Sequence, residues 1–89
     1  MTLMQLNYII TISETGSLNK ASELLYVSQP SLTSAVKELE KELGITIFNR
    51  SGKGVTLTND GAEFLLHAKE IYGQYQTVME KYGKGGSYK

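Results

Sequence analysis

The sequence predicts a mainly α-helical fold in which three short helices precede one β-hairpin and one long final helix. Three observations predict it. Apolar residues recur at intervals of three and four through four separate segments. A Ser or Thr (Thr2, Ser17, Ser28, Thr58) stands directly before each segment, where a helix start needs a side-chain acceptor. One glycine-rich turn, Ser51-Gly52-Lys53-Gly54, separates two β-prone runs.

The first segment runs from Leu3 to Thr15. Thr2 and Gln5 have the form of a capping box, and Leu3, Leu6, Ile9, Ile10 and Ile12 repeat at helical intervals. Gly16 supplies a left-handed stop. Ser17 caps a second helix to about Leu25, with Leu18, Ala21, Leu24 and Leu25 expected inward. Tyr26-Val27 leaves room only for a tight turn. Ser28 then caps a third helix that carries Pro30 in its first turn, where a missing N–H costs nothing, and ends at Gly44.

In the third helix Leu32, Ala35, Val36, Leu39 and Leu43 form one apolar stripe. The opposite face holds Pro30, Thr33, Ser34, Lys37 and Lys41, with Gln29 at its N-terminal edge. Its acids, Glu38, Glu40 and Glu42, all lie in the C-terminal half. The runs Thr46–Arg50 and Val55–Thr58 form the hairpin, whose tip offers Arg50 and Lys53 and no acid. Thr58 caps a last helix to about Tyr82. In it Leu65, Ala68, Tyr72, Tyr75, Met79 and Tyr82 make an a/d stripe, widened by Phe64, Ile71 and Val78. At ~1.5 Å per residue it spans about 36 Å, more than so small a body can cover. Part of that stripe therefore needs a second partner. Residues 83–89 read as a flexible tail.

Composition excludes several function classes. The 89 residues make one small domain with a modest core. With no Cys and one His (His67), thiolate zinc sites, disulfides, multi-histidine metal sites and a Ser-His-Asp triad all drop out. No cofactor is expected. The lack of Cys fits a reducing cytoplasm, and no apolar run reaches membrane-spanning length. Gly52-Lys53-Gly54 lacks the earlier glycine and the following Ser/Thr of a phosphate loop. Glu38 and Glu42 are an i, i+4 pair flanked by Lys41, a solvated face. An enzyme is not expected.

Nine basic residues balance nine acidic ones. Nucleic-acid-binding domains are usually basic, so only the placement of charge can argue for that role. Lys20, Lys37, Lys41, Arg50 and Lys53 can share one face, with the acids elsewhere.

Two helices joined by a tight turn, the second with an uncharged polar start and followed by a basic hairpin, describe a winged helix-turn-helix: a three-helix core plus a wing. The major groove of DNA admits a helix whose first turns reach base edges, and acids there would repel phosphate. The wing brings Arg50 and Lys53 to the flanking backbone or minor groove.

The motifs Leu6-x-Tyr8, Glu14-x-Gly16-Ser17-Leu18, Val27-Ser28-Gln29-Pro30-Ser31-Leu32-Thr33, Leu39-Glu40-x-Glu42-Leu43-Gly44, Phe48-x-Arg50 and Leu57-Thr58-x-x-Gly61 resemble the DNA-binding half of LysR-type bacterial transcriptional regulators. The match keeps one register from the N-terminus to about residue 66. The resemblance implies a DNA-binding domain over 1–58, a linker and dimerisation helix over 59–82, and a tail over 83–89. It implies base contacts in the major groove from Gln29, Pro30, Thr33 and Ser34. Backbone contacts fall to Ser17, Asn19, Lys20, Ser31 and Lys37, and wing contacts to Arg50 and Lys53. The partners it implies are double-stranded DNA with a pseudo-palindromic operator and a second copy of the chain, with a tetramer open to a full-length regulator. The dimer would close through Leu65, Ala68, Tyr72, Tyr75, Met79 and Tyr82.

The family's larger effector-binding domain, with two α/β lobes and a small-molecule cleft, has no counterpart in these residues. Ser22 stands where the family usually has alanine, and Ile9 and Leu18 where phenylalanine is frequent. Lysines replace common arginines, which implies fewer bidentate contacts to guanine. The competing reading is a winged-helix module that binds protein and not DNA.

Overall fold

The computed structural model describes residues 1–83; the expected tail from 84 onward lies outside the described residues. Helices α1 (Leu3–Thr15), α2 (Leu18–Leu25) and α3 (Gln29–Leu43) are followed by strands β1 (Phe48–Ser51) and β2 (Gly54–Leu57) and by α4 (Asn59–Val78), which runs into a π-helical turn over Met79–Gly83.

Local chemistry sets every helix start. Thr2 Oγ1 accepts the Gln5 N–H at 3.0 Å while Gln5 Oε1 accepts the Thr2 N–H at 2.9 Å, a complete capping box. Ser17, Ser28 and Thr58 accept from the N–H groups of Lys20, Ser31 and Gly61. Gly16 (φ 67°) and Gly44 (φ 72°) end α1 and α3 in the left-handed conformation, where glycine carries no Cβ penalty. Tyr26 takes the same conformation without being glycine (φ 58°), and makes the turn between α2 and α3 as short as the sequence requires.

The core lies where α1, α2 and α3 meet. Leu6, Ile9, Ile12, Leu32, Leu39 and Ile47 are its largest fully buried side chains, each contributing roughly 1.5–3 kcal/mol. Inward orientation differs from expectation at several positions. Leu24 is 63% exposed, while Ser22 is buried and its hydroxyl is satisfied by the Asn19 carbonyl at 2.8 Å. Leu3 is exposed and Ile10 half-buried, whereas Tyr8 joins the core. An eight-residue helix against two neighbours buries a narrow arc, and the small Ala21 and Ser22 occupy it.

The hairpin is shorter than its β-prone runs. Phe48 pairs with Leu57, Asn49 with Thr56, Arg50 with Val55 and Ser51 with Gly54, leaving Gly52-Lys53 as a two-residue turn. Thr46 and Ile47 stay out of the ladder because their backbone groups bond elsewhere: the Thr58 hydroxyl donates to both carbonyls, and the Ile47 N–H goes to Glu40 Oε2. Glu40 is therefore half-buried and structural rather than part of a solvated acidic face.

Packing changes character within α4 rather than at residue 58. Gly61 and Ala68 are buried, and Phe64 and Leu65 pack on the core. A Cβ on Gly61 would lie 2.0 Å from the Ile47 carbonyl oxygen, so only glycine permits this approach. Beyond Tyr72 the helix leaves the body, which accounts for the 46 Å long axis against 25 and 20 Å across. The α-helix stops at Val78, four residues short of the expected end, and continues as the π turn.

Candidate nucleic-acid interface

The site is built by three elements that the core holds in register. Ser17 caps α2 and points its first-turn N–H groups outward; a helix start carries partial positive charge. Ser28 does the same for α3, donating its own hydroxyl proton to Ser31 Oγ at 2.9 Å. Ser31 Oγ thus accepts within the cap and keeps its own proton, and Gln29, Pro30, Ser31 and Ser34 are exposed while Thr33 is half-buried. No hydrogen bond within the described residues occupies the side chains of Gln29, Thr33, Ser34 or Lys37. They are left for an outside partner.

The hairpin docks beside the α2 start. The Val55 N–H donates to the Gly16 carbonyl at 3.2 Å, and a Cβ on Gly54 (φ 129°) would meet that same oxygen at 2.7 Å. At the tip, Ser51 Oγ accepts the Lys53 N–H at 3.2 Å and tightens the turn that presents Lys53.

The result is an open cleft lined by Ser17, Leu18 and Asn19 of α2, Gln29 of α3, and Arg50 to Val55 of the wing. It contains two cations, Arg50 and Lys53, and no carboxylate. Among the described residues no Lys or Arg is ion-paired; the one ion pair joins the Met1 ammonium to Glu42. Zero net charge thus coexists with a locally cationic, acid-free surface.

Of the expected site residues, Ser17, Asn19, Gln29, Arg50 and Lys53 come together in this cleft. Thr33, Ser34 and Lys37 continue outside it along α3, and Lys20 is exposed on α2. Lys41 departs from the shared face: it lines another groove with Glu38, Glu42 and the start of α1. Gly16 and Gly54, which bring wing and α2 together, were not expected at the site, because only the fold shows that the hairpin lands on the α1–α2 turn.

The stripe on α4 divides. Leu65 and Tyr72 are half-buried and Ala68 fully buried against the chain's own body. Ile71, Tyr75, Val78, Met79 and Tyr82 each keep between 38% and 65% of their surface exposed. The Tyr72 and Tyr75 rings lie 5.7 Å apart at the point where one face gives way to the other. His67 is exposed on the same helix. No helix among the described residues is long and apolar enough to cross a membrane.

Known proteins share this arrangement. The family model described as bacterial regulatory helix-turn-helix protein, lysR family, matches residues 3–62. The HTH-type transcriptional regulator BsdA of Bacillus subtilis (strain 168) is 42% identical over 80 residues, covering 89% of this chain and 28% of BsdA. The chain therefore spans little more than a quarter of that relative. Among solved structures, the CbnR DBD–DNA complex superposes with a TM-score of 0.86 at 32% identity, covering 97% of this chain and 99% of that one. The BenM DBD/catB site 1 DNA complex gives 0.88 at 29% identity, with 98% of each chain covered.

Proposed function

The chain belongs to the lysR family of bacterial regulatory helix-turn-helix proteins, and from that premise we propose that it binds duplex DNA sequence-specifically, as a homodimer, to regulate transcription in the bacterial cytoplasm. The observation that carries this reading is the acid-free cleft between the α2 start, the first turn of α3 and the Arg50–Lys53 wing.

The geometry divides the labour. α3 enters the major groove with Gln29, Thr33 and Ser34 towards base edges; the Gln29 amide suits bidentate pairing with adenine. Pro30 fixes the approach of that first turn and meets sugar or a thymine methyl. Ser17, Asn19 and Lys20 offer a helix start to one phosphate, and Lys37 a point charge to another. Ser31, whose hydroxyl accepts from Ser28 and keeps its own proton, offers that proton to a backbone phosphate. Arg50 and Lys53 hold the backbone beside the groove.

The exposed apolar residues at the end of α4 and in the π turn after it supply the dimer contact. Two copies packed antiparallel through Tyr75, Val78, Met79 and Tyr82 would place two recognition helices about 34 Å apart, or a multiple of it, on a pseudo-palindromic site. Leu65 and Ala68 support α4 from within, and Tyr72 borders the seam. In a full-length regulator such dimers can pair into tetramers.

Selection of bound duplexes from a random pool, followed by salt titration of the winner, tests the reading. The expected result is a two-fold-related consensus whose affinity falls steeply with salt. Absence of any retarded duplex at low salt would leave the protein-binding alternative standing.

A further inference from the structure

We propose that Glu40 is a positioning residue for DNA binding: it sets the wing against the recognition helix, so that Arg50 and Lys53 meet the phosphates beside the groove that α3 occupies. This rests on the DNA-binding reading above.

Glu40 lies on α3 eleven residues after Gln29, near the far end of the recognition helix from the DNA. One of its carboxylate oxygens, Oε2, accepts the Ile47 N–H at 2.7 Å and the Phe48 N–H at 3.3 Å. Phe48 opens β1, and Arg50 stands two residues further along the same strand. The bond thus runs directly from the recognition helix to the strand that carries the wing arginine. An ionised oxygen takes two amides more strongly than a neutral acceptor does.

The wing needs such a tether. In β1 only Phe48 is buried, β2 adds half-buried contacts from Val55 and Leu57, and a two-stranded hairpin by itself is at best marginally stable. Its direction must come from attachments. β2 is held by the Val55 N–H on the Gly16 carbonyl. The segment leading into β1 is held on its carbonyl side by Thr58 and on its N–H side by Glu40. Of these, Glu40 alone belongs to the recognition helix.

Electrostatics and positioning predict opposite signs. Removing an acid from a DNA-binding protein strengthens its attraction for phosphate. Removing a tether that aims two cations weakens it.

The test is a double-mutant cycle of Glu40→Ala and Arg50→Ala in the full chain, using the duplex recovered from the random pool. Arg50→Ala should lower the slope of log affinity against log salt by about 1. Glu40→Ala should weaken binding and lower the slope by at least as much, up to about 2 since Lys53 loses its aim as well, and the double variant should lose no more slope than Glu40→Ala alone. Glu40→Gln retains an oxygen acceptor and should recover most of the slope. Tighter binding by Glu40→Ala, or an Arg50→Ala effect undiminished in its presence, overturns the proposal.

Amide exchange without DNA separates the two layers. Glu40→Ala should speed exchange at Ile47 and Phe48 and leave the amides in the middle of α3 unchanged, and Glu40→Gln, the milder variant should Glu40→Ala not fold, should speed exchange at the same two amides by less. Unchanged rates at Ile47 and Phe48 would show that the carboxylate holds nothing. Failure of the wild-type chain to bind duplex would instead remove the DNA reading.

Discussion

Helices α3 and α4 are both amphipathic, and folding leaves opposite remainders on them. On α3 the apolar stripe is consumed: Leu32, Val36 and Leu39 are buried, and what stays outside is Gln29, Ser34 and Lys37. Along α4 and the π turn after it Leu65, Ala68 and Tyr72 are taken up by the body, and what stays outside is Ile71, Tyr75, Val78, Met79 and Tyr82. A polar remainder whose first turns carry no acid suits a hydrated, hydrogen-bonding partner. An apolar remainder on a helix that overhangs its body suits a dry contact with another helix. One helix keeps groups that would be costly to bury unpaired, and the other keeps surface that water solvates poorly.

The largest expected effect comes from breaking the joint between the two helices. Gly61→Ala forces a Cβ into the Ile47 carbonyl and pushes α4 off the connector that Glu40 and Thr58 hold. It should cost about 3 kcal/mol or more, a large share of a small domain's stability, and urea unfolding would measure it. An unchanged midpoint would mean that α4 does not seat there.

Charging the bare end of α4 separates its remainder from that of α3. Tyr75→Glu with Met79→Glu should raise the dimer dissociation constant at least about 30-fold, typical of removing an interface hot spot, and weaken DNA binding in step. The thermal midpoint of the isolated body should barely move, since both side chains are exposed. Sedimentation showing an intact dimer would refute this placement of the seam.

Truncating the polar remainder sharpens the contrast from the other side. Gln29→Ala should cost about 1–3 kcal/mol on the selected duplex and little on an unselected one. Equal losses on both duplexes would make Gln29 a backbone contact. The dimer should be untouched.

Leu24→Ala is the smallest effect. Although leucine is the residue type most expected in a core, at 63% exposure its removal should shift stability by no more than about 0.5 kcal/mol.

Leu24 also marks the limit of what the chain discloses by itself. The four caps at Thr2, Ser17, Ser28 and Thr58 and the stops at Gly16 and Gly44 are legible because each is settled by residues within four positions. The stripe of α3 is legible because fifteen residues repeat its period. The eight residues of α2 leave Ser22 and Leu24 interchangeable on pattern alone, and their true positions depend on what α1 and α3 press against. Glu40 looks like its neighbours Glu38 and Glu42, and only the chain entering β1, seven and eight residues later, gives it amides to hold. Gly61 reads as a poor helix residue in its first turn until the Ile47 carbonyl is placed beside it. At the interface, residue types and the basic wing tip were legible; the cleft that joins them was not, because Gly16 and Gly54 meet across almost forty positions of sequence.

That meeting also fixes a distance between the wing tip and the start of α2. The Gly16 carbonyl holds β2, and the next residue begins the cap of α2. The wing cations and the α2 helix start are therefore indexed to a single peptide unit, like two jaws of a caliper riveted at one pin. On the DNA-binding reading proposed above, a duplex would have to offer phosphates at the separation these two jaws set.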